Sequence, residues 1–339
     1  MVELHNSPAG EPVRRYLLSL ARRTGSRPEK IPAERELAEL LGVARGTVRE
    51  AIASLEKQNF LIRLPGRKGA FTDPRTANAV MISVGVLTAD NWFDRLRQQT
   101  LRGFFDVLFE NRIDFSFHIE LTGGTADDRF VQTLRYSGHS LLLNFEGEPA
   151  RVDLIRGIGI PIVDYRRDLL FDEVHAGRLI ADFFLKRSCR KVIYWCADDE
   201  RCRHFRERMR RDRAECIVEP REMIGKAGSF LTAARLKKAD GMFLGWNLYN
   251  ADDMLKFLSA KKAKFPILLP PIPGLETRAK DYPQLNIHPM DPGFWDAAVL
   301  RTGRQLGRYA LELLRDPQAK PDYTPVRYYR ITGDRYDET

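Results

Sequence analysis

A short cationic face on one predicted helix is the clearest chemical feature of this chain. At about 100° per residue, the helix from Arg45 to Lys57 places Arg45 and Arg49 one turn apart on one flank. Thr47 lies on the other flank, and Gly46 points directly away from the apolar stripe. Guanidinium groups beside so small a residue suit close approach to phosphates and base edges of DNA. The apolar stripe consists of Val48, Ala51, Ile52 and Leu55.

The neighbouring segments predict the elements that position this helix. Before it, Leu37, Leu40 and Leu41 repeat at helical spacing, and Gly42 stands where that helix should end. After it, two short strands flank a Pro-Gly-Arg-Lys-Gly turn whose tip carries Arg67 and Lys68. The strands are predicted at 61–64 and 70–72. Helix, turn, helix and hairpin in this order predict an N-terminal winged helix-turn-helix domain of the α+β class.

Residues 31–72 resemble the DNA-binding domain of the GntR family of bacterial transcription factors. The matching segments are IPAERELAELLGV, ARGTVREAIASLEKQNFL and the PG…G-A-F wing. The resemblance implies that Gly66 enters the minor groove and that four side chains contact phosphates or base edges. Those four are Arg35, Arg45, Thr47 and Arg49.

The chain departs from the GntR pattern at three positions. Ala33 and Ala44 stand where the family usually has helix-capping Ser, and each loss of a cap costs about 0.5 to 2 kcal/mol. Each Ala also removes a hydroxyl that would meet a phosphate. Lys68 lengthens the wing by one residue. These departures concern individual phosphate contacts and leave the predicted fold unchanged.

Charge and composition agree with a nucleic-acid partner. The 339 residues carry a net charge of +9 and are 43% hydrophobic, enough for substantial cores. Residues 1–74 hold 13 Lys or Arg and 9 Asp or Glu residues, a difference of +4, so a small part of the chain carries nearly half of the excess. We therefore expect DNA binding that weakens steeply with salt.

The sequence predicts a cytoplasmic protein with no membrane contact, no cofactor and no metal. It contains neither a run of about 20 apolar residues nor an apolar signal core. The four cysteines are Cys189, Cys196, Cys202 and Cys216, and none forms a C-x-x-C pair. Cys196, Cys202 and His204 lack a fourth ligand for zinc, so free thiols are expected.

Beyond Thr72 apolar strands alternate with amphipathic helices, which predicts parallel α/β sheets. Two doubly wound sheets in tandem fit the number of strands better than one, and ligands bind beyond the carboxyl ends of such strands. The strands are predicted at 81–87, 115–119, 140–145, 161–164, 191–196, 215–219, 241–245 and 266–270. The helices are predicted at 94–111, 126–137, 150–158, 173–187, 200–213, 228–237 and 248–260.

This second part resembles the two-lobed, periplasmic-binding-protein-like effector domain of the LacI family. The resemblance spans nearly all of residues 80–332 and rests on ISVGVLTADNWFDRLRQQTLRGF, the GIPIVDYRRD crossover, KKADGMFLGWNLYNADDMLKFL and WDAAVLRTGRQLGRYALELLRD. A GntR-type head on such a domain resembles regulators of the bacterial arabinose-repressor type.

The expected organisation is a head at 1–72, a linker at 73–79, an effector and dimerisation domain at 80–332, and a tail at 333–339. The first lobe is expected at about 80–163 plus 290–318, and the second at about 164–289 plus 319–332.

The resemblance places an effector pocket at the strand ends. Asp90, Trp92 and Phe93 follow the first strand and have the chemistry to hold a sugar, whose apolar face stacks on a ring while a carboxylate accepts hydroxyl hydrogens. Arg166 stands where the family often has a ligand-binding Arg. Trp246 and Asn247 follow the 241–245 strand, with Leu248 replacing the family's Asp. The alternative for both tryptophans is a core or dimer-interface role. Further candidates are Glu146, His288 and Asp291.

Catalytic motifs are absent: the sequence has no G-x-S-x-G, H-E-x-x-H, P-loop or G-x-G-x-x-G after a strand. No catalytic residue is therefore expected. The predicted function is a ligand-responsive repressor that binds operator DNA as a homodimer, with a sugar as the default effector. The alternative is a small-molecule-binding metabolic enzyme with a basic helical extension.

Overall fold

A computed structural model of the chain describes most of its residues and all of the head from Gly10 onward except 24–26. The described residues are 10–23, 27–79, 82–88, 95–121, 128–145, 153, 155–195, 199–218, 238–245, 248–271 and 274–331.

Three helices form the core of the head: α1 (Glu11–Arg23), α2 (Glu34–Leu41) and α3 (Arg45–Lys57). The predicted stripe of α3 is buried as expected. Helix α1 was not predicted, and it completes the core by burying Val13 and Leu17 against the other two. Leu37 of α2 is also fully buried. The apolar spacing of all three helices thus converges on one small core.

The helix boundaries of the head follow local backbone chemistry. Gly42 ends α2 in the left-handed conformation, with φ at 64°, and its N–H donates to Ala38 O. Ala33 and Ala44 precede α2 and α3 with extended backbone and no side-chain cap. The Ala33 N–H donates to Glu36 Oε2 at 2.8 Å, which is half of a capping box.

The wing is a short antiparallel hairpin of β1 (Leu61–Ile62) and β2 (Phe71–Thr72). The segment before α2 pairs with it, because Ile31 N–H donates to Ala70 O and Thr72 N–H donates to Glu29 O. The linker predicted at 73–79 contains a 3-10 helix, Pro74–Ala79. Helix α1 packs against that 3-10 helix.

The first α/β part contains β3 (Ile82–Thr88), α4 (Arg95–Glu110), β4 (Phe115–Leu121), α5 (Asp128–Arg135), β5 (Leu141–Asn144) and β6 (Ile162–Asp164). Its strands are all parallel and lie in the order β4-β3-β5-β6. Every residue of β3 is buried, as expected for a central strand covered on both faces.

The second part contains α6 (Arg167–Leu170), α7 (Glu173–Lys186), β7 (Lys191–Trp195), α8 (Glu200–Arg211), β8 (Glu215–Val218), β9 (Gly241–Leu244), α9 (Leu248–Ala260), β10 (Pro266–Leu269), α10 (Leu275–Ala279), β11 (Asn286–Pro289) and α11 (Pro292–Arg315). Five parallel strands form its sheet in the order β11-β10-β9-β7-β8. The two parallel sheets predicted from the sequence are therefore present.

The chain divides into two compact units, and each unit is built from three separate segments of the sequence. One comprises Met1–Phe93, Phe104–Tyr165 and Arg304–Asp322, and the other comprises Asp94–Gly103, Arg166–Gly303 and Tyr323–Thr339. The head belongs to the same unit as the first sheet. Helices α4 and α11 each contribute residues to both units.

The head and the first sheet meet along α1. Gly138, at φ 77°, lies so close to α1 that a Cβ atom there would stand 2.3 Å from the carbonyl carbon of Arg15. The Tyr16 and Tyr136 rings meet edge to face at 6.2 Å between centroids. Only glycine at position 138 permits this close approach.

Among the described helices, none is both long and apolar enough to cross a membrane.

Candidate nucleic-acid interface

The first turn of α3 presents an open surface flanked by cations. Arg45 and Arg49 are exposed over 63% and 64% of their side chains. Gly46 lies between them in sequence, and a Cβ atom built on it would meet no atom of the described residues within 4 Å. Thr47 is half-buried on the other flank. This arrangement matches the helix face predicted from the sequence and leaves room for a base edge.

Glu34, in the first turn of α2, holds both arginines. Its Oε2 accepts from Arg49 Nη2 at 3.0 Å and from Arg45 Nε at 3.3 Å. The hydrogen bond from Arg49 lowers the pKa of Glu34, and the same contact raises the pKa of Arg49. Sequence reasoning missed this carboxylate because the contact depends on how α2 and α3 pack. It pre-orients two cations that would otherwise sample many rotamers.

Arg35, also predicted to contact DNA, points outward from α2. Its side chain is 82% exposed and pairs with Glu39 one turn later at 2.9 Å. Such an exposed pair contributes little stability and leaves the guanidinium available to a phosphate.

The wing tip carries the remaining predicted DNA contacts. Gly66 has φ at 73° and is exposed, with no described atom within 4 Å of a Cβ built there. Arg67 and Lys68 are both exposed beside it. The left-handed turn therefore presents a bare backbone flanked by two cations, which suits insertion into a narrow groove.

Two contacts fix α3 and the wing within the head. Arg14 of α1 donates through Nη2 to Oε1 of Gln58, the residue that ends α3, at 2.8 Å. Arg63 beside the wing donates to Glu56 of α3 at 2.5 Å. These long-range pairs carry no periodic signal, so the sequence did not reveal them.

Most of the predicted effector contacts lie outside the described residues: Asp90, Trp92, Phe93, Glu146, Trp246 and Asn247. Arg166 is described and exposed, two residues beyond β6. His288 lies within β11, and its ring packs against Phe183 of α7 at 5.1 Å between centroids. The placement of His288 suits a packing role as well as a ligand contact.

Asp291 caps helix α11. Its Oδ1 accepts from the N–H groups of Gly293 and Phe294 at 2.9 and 3.1 Å, and its Oδ2 accepts from Arg330 Nε at 3.0 Å. Burial raises the pKa of Asp291, but these hydrogen bonds outweigh it and the pKa lies below its usual range. The carboxylate thus has a structural role that accounts for its position without a ligand.

The described residues include no group of three or more His, Cys, Asp or Glu placed to hold a metal ion. Cys202 is buried, and His204 lies near Glu200 and Glu207 on α8. Cys196 lies outside the described residues.

A buried arginine in the second unit was also missed by sequence reasoning. Arg201 of α8 donates to the hydroxyls of Tyr194 and Tyr329 at 2.9 and 2.7 Å. It pairs with Asp199 at 2.8 Å. Because these partners satisfy the guanidinium, Arg201 serves to join the carboxyl end of β7 to the segment near Tyr329.

Residues 13–71 match the model of a family described as "Bacterial regulatory proteins, gntR family". The match includes most of α1, all of α2 and α3, and the wing as far as Phe71. No curated protein sequence is significantly similar to the chain.

Solved structures show the fold of the remainder. The chain is similar to the Lac repressor bound to ONPG, at 10% identity and a TM-score of 0.55, with 89% of this chain and 99% of that chain covered. It is similar to the transcription regulator CcpA of Lactococcus lactis at 13% identity and a TM-score of 0.54, with coverages of 74% and 97%. The chain is also similar to a ribose operon repressor from Lactobacillus acidophilus, at 13% identity and a TM-score of 0.54, with 74% of this chain and 97% of that chain covered. The chain thus joins a gntR-type head to a domain with the periplasmic-binding-protein-like fold found in LacI-type regulators.

Proposed function

We propose that this protein is a ligand-responsive transcriptional repressor whose head binds operator DNA. The observation that carries the proposal is the open cationic first turn of α3, with Arg45 and Arg49 held by Glu34, inside the segment that matches the gntR family. In this proposal α3 enters the major groove and Gly66 at the wing tip approaches the minor groove.

Binding as a homodimer is part of the proposal, since two heads related by two-fold symmetry would occupy two half-sites. An exposed apolar patch on the first unit supports self-association. Phe109 is 68% exposed, and Phe117 and Ile119 on the edge strand β4 are 49% and 46% exposed. Strand β4 is the last strand of the sheet among the described residues, and exposed apolar side chains on it and on α4 favour an interface over solvent.

The proposed effector is a small molecule, with a carbohydrate as the first choice, bound at the carboxyl ends of the parallel strands. Support comes from the fold shared with the ribose operon repressor and from the position of Arg166 just beyond β6. Effector and DNA binding would then be reciprocally coupled through one free energy.

A gel-shift titration tests the DNA part of the proposal. The full chain is titrated against its own upstream region and against a random duplex of equal length, at 50 and 200 mM salt. We expect preference for the upstream region and an affinity that falls steeply with salt. Failure to bind either duplex, together with turnover of a small molecule, would favour the alternative of a metabolic enzyme.

A thermal-shift panel of sugars and nucleosides tests the effector part. A ligand that binds the native state raises its apparent stability in proportion to the logarithm of concentration over Kd. We expect a sugar or sugar derivative to raise Tm and to change the gel-shift affinity. A panel that produces shifts without any effect on DNA binding would contradict the coupling.

A further inference from the structure

A cavity lies between helix α1 of the head and the first sheet, inside one compact unit. Its volume is about 190 Å³. A single water needs roughly 10 to 15 Å³ of such space, and pockets for drug-sized ligands have volumes of roughly 300 Å³ or more. The cavity therefore suits a small polar group. Its lining includes Arg14 and Arg15 of α1 and four serines, Ser19, Ser83, Ser116 and Ser140.

Two arginines of α1 bring incompletely satisfied donors to this cavity. Nη1 of Arg14 and Nε of Arg15 are buried and have no hydrogen-bond partner among the described residues. The other terminal nitrogen of Arg14 is already used by Gln58. Because a buried donor on a charged group is costly to leave without an acceptor, these two atoms call for an acceptor within the cavity.

Hydroxyl groups surround the same space. Ser83 Oγ contacts His139 Nδ1 at 3.0 Å, and Ser140 Oγ accepts from the Ser83 N–H at 3.3 Å. Ser19 donates to the carbonyl of Tyr16 at 2.7 Å. Ser116 supplies a fourth hydroxyl. Among the described lining residues, two guanidinium groups and four hydroxyls stand against one carboxylate, Glu11, and this balance favours an anion with several acceptor oxygens.

We infer that this cavity is a binding site for a small oxyanion, a phosphate group above all. Its oxygens would accept from Arg14 Nη1 and Arg15 Nε and from the hydroxyls of Ser116 and Ser140, since the Ser19 and Ser83 hydroxyls are already engaged with Tyr16 and His139. The ligand is then inorganic phosphate or the phosphate of a small metabolite. This anion site is separate from the sugar site proposed at the strand ends, because the two sites have different lining residues.

The position of the site indicates how a bound anion would affect the DNA-binding head. Arg14 joins the cavity to Gln58, the residue that ends the recognition helix α3, and Phe60 leads into the wing. Ser83 and Ser140 belong to the first sheet and its adjoining turn. An anion that contacts both sides would fix the head on this unit and so alter DNA affinity. This coupling rests on the proposed function, whereas anion binding does not.

Calorimetry and thermal shift with inorganic phosphate test the site, using the full chain at constant ionic strength balanced with chloride. We expect a saturable rise in Tm that chloride does not reproduce. Arg15→Gln should raise the Kd for phosphate about tenfold or more, since a charge-assisted donor is removed. Arg315→Gln, at the exposed end of α11 in the same unit, is the matched control and should leave the Kd unchanged.

Two further variants keep the test decisive. If Arg15→Gln fails to fold, Ser116→Ala removes one hydroxyl with little change in packing and should still weaken phosphate binding. Arg49→Ala should retain phosphate binding, which separates this cavity from the DNA-contacting face. Equal response to phosphate and chloride, or unchanged binding in both Arg15→Gln and Ser116→Ala, would overturn the proposal.

The DNA arm compares operator affinity with and without saturating phosphate. We expect phosphate to change it in the natural protein but not in Arg15→Gln. If no operator is bound under any condition, the proposed function fails while a positive phosphate result stands. If phosphate binds to the natural protein and leaves its operator affinity unchanged, the coupling is wrong.

Discussion

Glu34 restrains the two arginines through which the head is proposed to contact DNA. Its carboxylate accepts from both Arg45 and Arg49, so it competes with phosphates for them while also fixing their direction. We expect Glu34→Gln to raise affinity for a random duplex roughly two- to fivefold, in line with weak exposed ion pairs. The preference for operator should fall. Fluorescence anisotropy with both duplexes measures the two affinities, and a selective gain for operator alone would contradict this role.

Arg49 is the side chain on which specific recognition is expected to depend most. Arg49→Ala should weaken operator binding roughly 10- to 100-fold and remove the preference over random DNA. The fold should be unchanged because the side chain is 64% exposed. Gel shift and circular dichroism report the two properties, with Arg315→Ala as the control cation. Operator affinity equal to that of the natural protein would mean that α3 is not the recognition helix.

Cys189 is expected to be chemically inert in the native state. Burial, and then the charge of Asp240, raises the pKa of this thiol from 9.0 to about 11. Its Sγ also lies 3.0 Å from the Asp240 carbonyl oxygen. At pH 8 alkylation should therefore be slow in the native protein and fast after unfolding. Mass spectrometry of labelled peptides measures the alkylation rate of Cys189. Half-buried Cys216 is the internal comparison.

The same thiol predicts a dependence of stability on pH. The folded protein holds the proton more tightly than the unfolded chain does, so its contribution is complete below pH 9 and is lost as pH rises toward about 11. Cys189→Ser should flatten this part of the curve, because a serine hydroxyl does not titrate there. An unchanged slope in denaturant titrations between pH 8.5 and 10.5 would argue against the raised pKa.

At the scale of elements, helix α2 begins with an incomplete cap. The Ala33 N–H already donates to Glu36, but Ala33 has no side-chain oxygen that could accept from an N–H of the first turn. Ala33→Ser should complete the capping box and stabilise the head by about 1 kcal/mol. Hydrogen exchange of the α2 amides measures this, because it reports local opening. Ala33→Val, which cannot cap, is the control and should give no added protection.

The order and type of most described elements were predictable from the sequence. Helix α3 and strand β3 carry apolar periods long enough to identify them. Helix α3 has the predicted bounds, and β3 is displaced by one residue from its predicted bounds. Helices α1, α6 and α10, strand β11 and the 3-10 helix Pro74–Ala79 were not predicted. Helix α1 was not recognised in EPVRRYLLSLARR, although Val13, Leu17 and Ala21 repeat at helical spacing and form its buried face. Strand β11, at Asn286–Pro289, is too short and polar to show alternation. The predicted helix at 228–237 lies outside the described residues.

At the scale of the whole molecule, the apolar patch on β4 and α4 predicts the assembly state. Phe117→Asp places a charge on this patch and should shift the protein from dimer toward monomer. Operator affinity should fall with it, since two linked heads bind far more tightly than one. Analytical ultracentrifugation measures the shift. Val174→Asp, at an exposed apolar residue of the other unit, is the control, and dissociation by both variants alike would contradict a specific interface.

The sequence by itself determined the fold class of the head and of the α/β domain and the cationic face of α3. Periodicity, turn chemistry and the spacing of cations are local properties. Arg45, Gly46 and Arg49 share one face of α3 wherever that helix is placed. Tertiary structure decided which group restrains those cations, which side chain contacts the end of α3 and where the cavity lies. The carboxylate of Glu34, the contact of Arg14 with Gln58 and the cavity beside Gly138 all join residues far apart in the chain. Such contacts depend on packing angles between elements, and no local pattern encodes those angles.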